Sequence, residues 1–111
     1  MHVRDLIDKI GFRHIAGEKA LEKKITGLYC CDLLSWVMSH AKHGDAWITV
    51  QTHINVVAIA SLLDLSCIII PEDAEIDGAS IRKAEEEDIA ILSTPLNSFE
   101  IFKLLYEHGI K

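Results

Sequence analysis

Ser66-Cys67-Ile68-Ile69-Ile70 is a nearly continuous apolar run, and Ile89-Ala90-Ile91-Leu92 is a second one. Short apolar runs without alternation are typical of strands that are covered on both faces, as in parallel sheets. A half-exposed strand would instead alternate between apolar and polar side chains. The two runs therefore predict two central strands of a parallel sheet with helices on both of its faces.

Helical and strand-like patterns alternate around these two runs. The predicted elements are a helix at 3–10, a brief edge strand at 12–15, strands at 25–31 and 47–50, helices at 33–42 and 55–63, and two more helices after Asp77 and Asn97. Strand, helix, strand, helix in repetition predicts parallel pairing with right-handed crossovers. The fold class is α/β, a small three-layer domain with a mostly parallel central sheet of about four strands flanked by helices, and residues 1–111 form a single domain.

Several side chains are expected to cap these helices or to form their buried faces. Asp32 and Asp77 suit N-cap positions, and Asn97 with Glu100 has the spacing of a capping box. The helix at 55–63 is apolar almost all round, so it should be covered on more than one side. The expected buried faces of the helix at 33–42 and of the final helix consist of Leu34, Trp36, Val37 and Met38, and of Phe99, Phe102, Leu105 and Tyr106.

Composition excludes several classes of partner. The formal net charge of −6 gives nucleic-acid phosphates and anionic lipids little to bind. The longest apolar stretch, at 56–63, is far shorter than a bilayer span, and the first residues do not resemble a signal peptide. Three cysteines, two of them adjacent, are a poor disulfide framework. We therefore expect reduced thiols, a cytoplasmic protein, and no nucleic-acid or membrane partner.

The carboxyl ends of the predicted strands are the expected place for a ligand, because open α/β sheets bind ligands there beside helix N-termini. The candidate ligand-binding residues are Gln51, Thr52, His53, Asn55, Ser93 and Thr94. With backbone N–H groups as donors, they could hold an anionic metabolite or nucleotide. The alternative is that Thr52 and Asn55 only cap the following helix while His53 is half-exposed.

Metal and redox chemistry receive less support. His40 and His43 lie three residues apart near a helix end, but no zinc-type spacing is present, and an interaction with the helix dipole is simpler. Adjacent Cys30 and Cys31 should point to opposite faces of a strand, and buried structural thiols are favoured over reactive ones. A metal or redox accessory that uses Cys30, Cys67 and His53 stays open as a third hypothesis.

Enzyme signatures are missing from the sequence. It contains no GxxxxGK[ST] phosphate loop, no GxGxxG turn and no GxSxG elbow. Candidate acids and bases come without a pattern that assigns them roles. We therefore predict no catalytic residues, no cofactor and no enzymatic activity.

Taken as a whole, the chain resembles the DRTGG domain family over nearly its full length. The resemblance is carried by Ile25-Thr26-Gly27 leading to Asp32-Leu33-Leu34, by Gly44-Asp45, by the stretch from Trp47 to Asn55, and by Lys83-Ala84-Glu85-Glu86-Glu87 leading to Ile91-Leu92-Ser93-Thr94-Pro95. The name motif itself is absent. Gln51-Thr52 stands about where Asp-Arg would be, and Pro71-Glu72-Asp73 replaces Thr-Gly-Gly.

The resemblance implies a non-catalytic domain. DRTGG domains are accessory parts of phosphotransacetylases and of pyrophosphatases with cystathionine-β-synthase-type (CBS) domains, and they are similar to the N-terminal domain of HPr kinase. Chains that keep Gln-Thr-His in that place resemble stand-alone members, some of which are encoded near iron-only hydrogenase and redox-signalling genes. The resulting prediction is a regulatory or assembly module that forms a homodimer through an apolar surface, including the helix at 55–63, and binds a partner protein or small metabolite.

Overall fold

The computed structural model describes residues 1–110, which form one five-stranded sheet. The strands are β1 (Arg13–Ala16), β2 (Gly27–Cys30), β3 (Asp45–Ile48), β4 (Cys67–Ile70) and β5 (Ile91–Ser93). Their order in the sheet is β1-β5-β4-β3-β2, and all neighbours are parallel except β1 and β5. The mostly parallel sheet is confirmed, with five strands rather than about four.

Helices cover both faces of the sheet, as predicted. They are α1 (Val3–Asp8), α2 (Leu34–His40), α3 (Ile54–Leu63), α4 (Gly78–Glu87) and α5 (Ser98–Glu107), with a short 3-10 helix at Glu18–Ala20. Buried residues of α1 and α5 pack with Ile48, Ile69 and Leu92 on one face. Residues of α2, α3 and α4 pack with Trp47 and Ile68 on the other. The domain therefore has three layers and two apolar cores.

The two apolar runs lie where their composition predicts. The side chains of β4 and β5 are all buried, and β4 is the middle strand of the sheet. Because the chain steps from β2 to β5 always in the same direction, the three connecting helices lie on the same face. This winding makes β2 an edge strand and α2 the last helix of its row.

The other edge of the sheet is β1, which pairs antiparallel with β5. Arg13 lies opposite Ser93, and a bulge interrupts the register between His14 and Ala16. Gly17 follows with φ +82°, and a Cβ there would lie 2.0 Å from the carbonyl oxygen of Ile89. Only glycine fits where the chain leaves β1.

The expected helix caps are partly wrong. Leu33, not Asp32, is the N-cap residue of α2, because the Asp32 carboxylate is turned toward the loop after β3. Asp77 does occupy the N-cap position of α4, but its side chain makes no capping hydrogen bond. The capping box of α5 is confirmed: the Glu100 N–H donates to Asn97 Oδ1 at 2.9 Å, and the Asn97 N–H donates to Glu100 Oε1 at 3.0 Å.

The expected buried faces of α2 and α5 need a larger correction. Within α2 only Val37 is fully buried, whereas Trp36 and Met38 are about half exposed. In α5 the buried residues are Ile101 and Leu105, and the side chains of Phe99 and Tyr106 are 75% and 62% exposed. α2 has these exposed apolar residues because it is the end helix of its row over an edge strand.

Candidate functional site

The polar residues after β3 line a small pocket at the carboxyl ends of the strands. Gln51, Thr52 and His53 form its rim, and Ile70 and Ser80 are among the residues that close it. Its volume is about 10 Å³, which is room for about one water molecule and not for a nucleotide. These polar residues do lie at the strand carboxyl ends, but the cavity there is nearly filled.

His53, rather than Thr52 or Asn55, caps α3. Its Nδ1 accepts a hydrogen bond from the Asn55 N–H at 3.3 Å, and its side chain is exposed. The carbonyl of Thr52 accepts a 2.6 Å hydrogen bond from the Ser80 hydroxyl, which joins this loop to α4. Asn55 lies on the opposite side of the helix start, in a groove between α2 and α3. Gln51, Thr52 and His53 therefore line the pocket, whereas Asn55 lies in a separate groove.

Ser93 and Thr94 are buried and make hydrogen bonds within the fold. Ser93 Oγ accepts a hydrogen bond from Arg13 Nη2 at 3.3 Å, and the same guanidinium is paired with Asp73. Thr94 Oγ1 accepts from the Leu96 N–H at 3.3 Å, and the Thr94 carbonyl accepts from the Asp73 N–H at 3.0 Å. Neither residue lines the pocket with Gln51 and His53.

A network around Asp32 was not foreseen from the sequence. Asp32 Oδ1 accepts hydrogen bonds from Thr49 Oγ1 at 2.8 Å and from the Val50 N–H at 3.0 Å. Gln51 Nε2 donates to the Asp32 carbonyl at 3.2 Å, and the Trp47 indole donates to the Cys31 carbonyl at 2.9 Å. These bonds join the loop after β2 to β3 and to the loop that follows β3. An aspartate just before a helix indicates a cap, so the pattern gave no signal for this role.

Larger cavities lie away from the strand carboxyl ends. A groove of about 440 Å³ runs between α2 and α3, and a second of about 520 Å³ lies between α5 and β2. Both are lined mainly by apolar side chains. A third, of about 340 Å³, lies at the opposite end of the strands and is polar. In it the Asp64 carboxylate lies 2.9 Å from His43 Nδ1 and 3.7 Å from Lys23 Nζ.

His40 and His43, the two histidines considered for a metal site, contact different residues. The His40 ring stacks on Trp36 at 4.0 Å and its Nδ1 lies 3.0 Å from the Trp36 carbonyl, whereas His43 pairs with Asp64. Within residues 1–110, no three His, Cys, Asp or Glu side chains form a group that could hold a metal ion. This result includes His53 and the three cysteines, which do not form such a group either.

The three cysteines have different environments. Cys67 is buried, and this burial raises the pKa of its thiol to about 12. Cys30 is exposed, so the expectation of a buried structural thiol is wrong for this residue, although desolvation still raises its pKa. Cys31 is half-buried. A raised pKa reduces the thiolate fraction and with it the nucleophilicity of Cys30 and Cys67.

Over residues 1–110, the structure contains no helix that is both long and apolar enough to span a membrane.

Comparison with known proteins supports the fold. No family model matches the sequence, and the search of curated proteins gives no match. Among solved structures, the chain is similar to the CBS and DRTGG domains of the regulatory region of Clostridium perfringens pyrophosphatase, crystallised with its activator diadenosine tetraphosphate. The TM-score is 0.75 at 16% sequence identity, and the match covers 94% of this chain and 45% of that one. The DRTGG-like fold that the resemblance predicts is thereby confirmed, and the similar fold occurs there in a regulatory region.

Proposed function

We propose that this chain is a non-catalytic regulatory module that acts as a homodimer and binds a partner protein or a small metabolite. The observation that carries the proposal is the exposure of large apolar side chains on the helices. Among residues 1–110, five such residues are exposed on helices, Trp36, Met38, Leu62, Phe99 and Tyr106, and Leu33 and Val50 are exposed in the loops after β2 and β3. Exposed apolar side chains that lie next to one another, as Met38 and Leu62 do in the groove between α2 and α3, are typical of an interaction site. A cytoplasmic location is part of the same proposal.

The strand carboxyl ends leave no room for a substrate, which favours binding of a partner protein over catalysis. The polar side chains there are engaged with neighbouring loops, and the cavity of about 10 Å³ cannot hold a substrate. The similar fold in the clostridial pyrophosphatase belongs to a regulatory region, which also favours a regulatory role for this chain. The proposal therefore assigns the chain no reaction of its own.

The part of α3 that can take part in an interface differs from the sequence expectation. Val57 and Ile59 are 1% and 7% exposed, so charged substitutions there would test the core and not an interface. Leu62 is 70% exposed and lines the groove with Met38 of α2. Leu62→Glu therefore tests whether α3 takes part in an interface, as the sequence expectation for the helix at 55–63 requires.

Native mass spectrometry of the full chain, gently purified from its own cells, tests the proposal. A dimer, with or without bound small molecule, supports it, because one spectrum reports both subunit number and extra mass. A monomer at all attainable concentrations that retains neither partner nor ligand would contradict it.

A second candidate function is a sensor for a nucleotide or another anionic metabolite. The specific observation in its favour is that the similar regulatory region was crystallised with diadenosine tetraphosphate. In this chain the site would be at Gln51, Thr52 and His53, and the loops after β3 and β4 would have to separate to admit such a ligand. One bond that would have to open is the one from the Ser80 hydroxyl of α4 to the Thr52 carbonyl in the loop after β3.

Calorimetric titration with diadenosine tetraphosphate, AMP and inorganic phosphate tests this second candidate. We expect His53→Ala to weaken any binding, since His53 lines the pocket. His108→Ala is the matched control, because His108 caps the far end of α5. Absence of heat with all three probes, or equal binding in both variants, would count against the site.

A metal or redox accessory role, with a link to hydrogenase or redox signalling, has the least structural support. It requires a reactive Cys30 or a bound metal, and the pKa of the Cys30 thiol is raised rather than lowered. Elemental analysis of the native protein and labelling of Cys30→Ser beside the wild type test it. A metal-free protein with slowly labelled Cys30 would end this hypothesis.

A further inference from the structure

The two edges of the sheet differ in how they are protected. At β1 a bulge breaks the register, and the exposed Arg13 and His14 side chains flank the edge. Such bulges and charges are the usual devices that prevent edge-to-edge pairing. Strand β2 has the sequence Gly27-Leu28-Tyr29-Cys30, pairs with β3 in regular register, and carries neither a charge nor a proline. Its outer side is the unprotected edge of the sheet.

Exposed aromatic side chains stand beside this edge on both faces of the sheet. On one face, Phe99 and Tyr106 of α5 form a groove together with Leu28. On the other face, Trp36 of α2 lies beside Tyr29 and is 53% exposed. A partner that covers both aromatic surfaces must therefore extend across the edge of the sheet at β2, because the sheet lies between the two surfaces.

We propose that two copies of this chain pair antiparallel along β2 across a two-fold axis, forming one continuous ten-stranded sheet. The axis is perpendicular to the sheet, so α5 packs beside α5 of the second copy on one face and α2 beside its equivalent on the other. A single added peptide strand would satisfy the backbone of β2 but would leave one or both aromatic surfaces exposed. This inference rests on the proposed homodimer and assigns its interface.

The exposed aromatic side chains supply about half of the surface that a stable dimer needs. Three aromatic side chains that are more than half exposed, Trp36, Phe99 and Tyr106, present together roughly 400 Å². A standard interface buries about 800 Å² on each partner. The outer backbone of β2, with half-buried Leu28 and Phe102, lies between and beside these aromatics and supplies further area.

Three glutamate substitutions on the full chain test the interface. Phe99→Glu and Trp36→Glu place a charge on either side of β2, and Leu62→Glu is the matched control, because Leu62 is 70% exposed on α3. We expect each of the first two to raise the dimer dissociation constant at least about 30-fold, the size of an interface hot spot. Leu62→Glu should change it less than about threefold. Circular dichroism confirms that each variant is folded.

Hydrogen exchange gives a readout specific to the strand. Alternate amide protons of β2 face away from β3, and they should exchange slowly in concentrated protein and fast in dilute protein. If Leu62→Glu dissociates the dimer while Phe99→Glu and Trp36→Glu leave it intact, or if the outward amides exchange fast in the dimer, the interface is elsewhere and the homodimer stands. If the wild type is monomeric at the highest attainable concentration, both this inference and the proposed homodimer fail.

Discussion

Replacing Gly17 by alanine should lower the free energy of unfolding by about 2–5 kcal/mol. The left-handed backbone at φ +82° accounts for about 1–2 kcal/mol of this, because a residue with a Cβ is strained there. The rest is steric: the new Cβ would lie 2.0 Å from the Ile89 carbonyl oxygen and 2.6 Å from the Ala90 Cα. These are backbone atoms at the start of the core strand β5, so they cannot rotate away, and overpacking of this kind costs roughly 1–3 kcal/mol or more.

Gly11→Ala is the matched control for this prediction. Gly11 has φ +91°, but a Cβ there would have nothing within 4 Å, so only the backbone strain of about 1–2 kcal/mol should appear. Urea unfolding, followed through the fluorescence of buried Trp47, measures both variants. If Gly17→Ala is no more destabilised than Gly11→Ala, the close packing of β1 against β5 would be refuted.

Three further predictions concern other positions. Asp32→Ala removes the two hydrogen bonds that the carboxylate accepts, and it should lower the free energy of unfolding in urea by about 1–2 kcal/mol. Asp32→Asn keeps an acceptor and should lower it by less. Equal losses of stability in the two variants would contradict the network. Asn97→Ala should cost about 1 kcal/mol by removing the cap of α5, and an unchanged urea midpoint would contradict this. Because burial raises the pKa of Cys67 from 9.0 to about 12, the protonated thiol stabilises the fold fully below pH 9, and this contribution is lost as the pH rises toward 12. The loss should approach about 1.4 kcal/mol per pH unit relative to Cys67→Ala, and parallel pH profiles of the two proteins would exclude it.

The central strands could be predicted because burial on both faces leaves a local mark in the sequence. In β4 every side chain is apolar and buried, as is typical of a short strand that is covered on both faces. The capping box of α5 is likewise complete within four residues, so Asn97 and Glu100 identify it. Features of this kind depend on neighbours in sequence and are visible without the fold.

The exposure of α2 and α5 could not be predicted, because it depends on where each helix lies in the sheet. Trp36 and Met38 occupy helical positions that would be buried if another helix followed α2 in its row. The candidate site shows the same difficulty. Gln51 and Thr94 stand at strand ends as expected, but a polar side chain that bonds to a neighbouring loop has the same sequence pattern as one that awaits a ligand.

The pairing of β1 with β5 has a consequence for the order of folding. Arg13 and Ser93 are 80 residues apart in the chain, although they are neighbours in the sheet. The loop entropy lost in joining them is among the larger costs of closing this fold, and contacts of such separation slow folding. We expect β2 to β5 to assemble by successive crossovers first and β1 to dock last. During synthesis, β1 would then remain without its strand partner until β5 has left the ribosome.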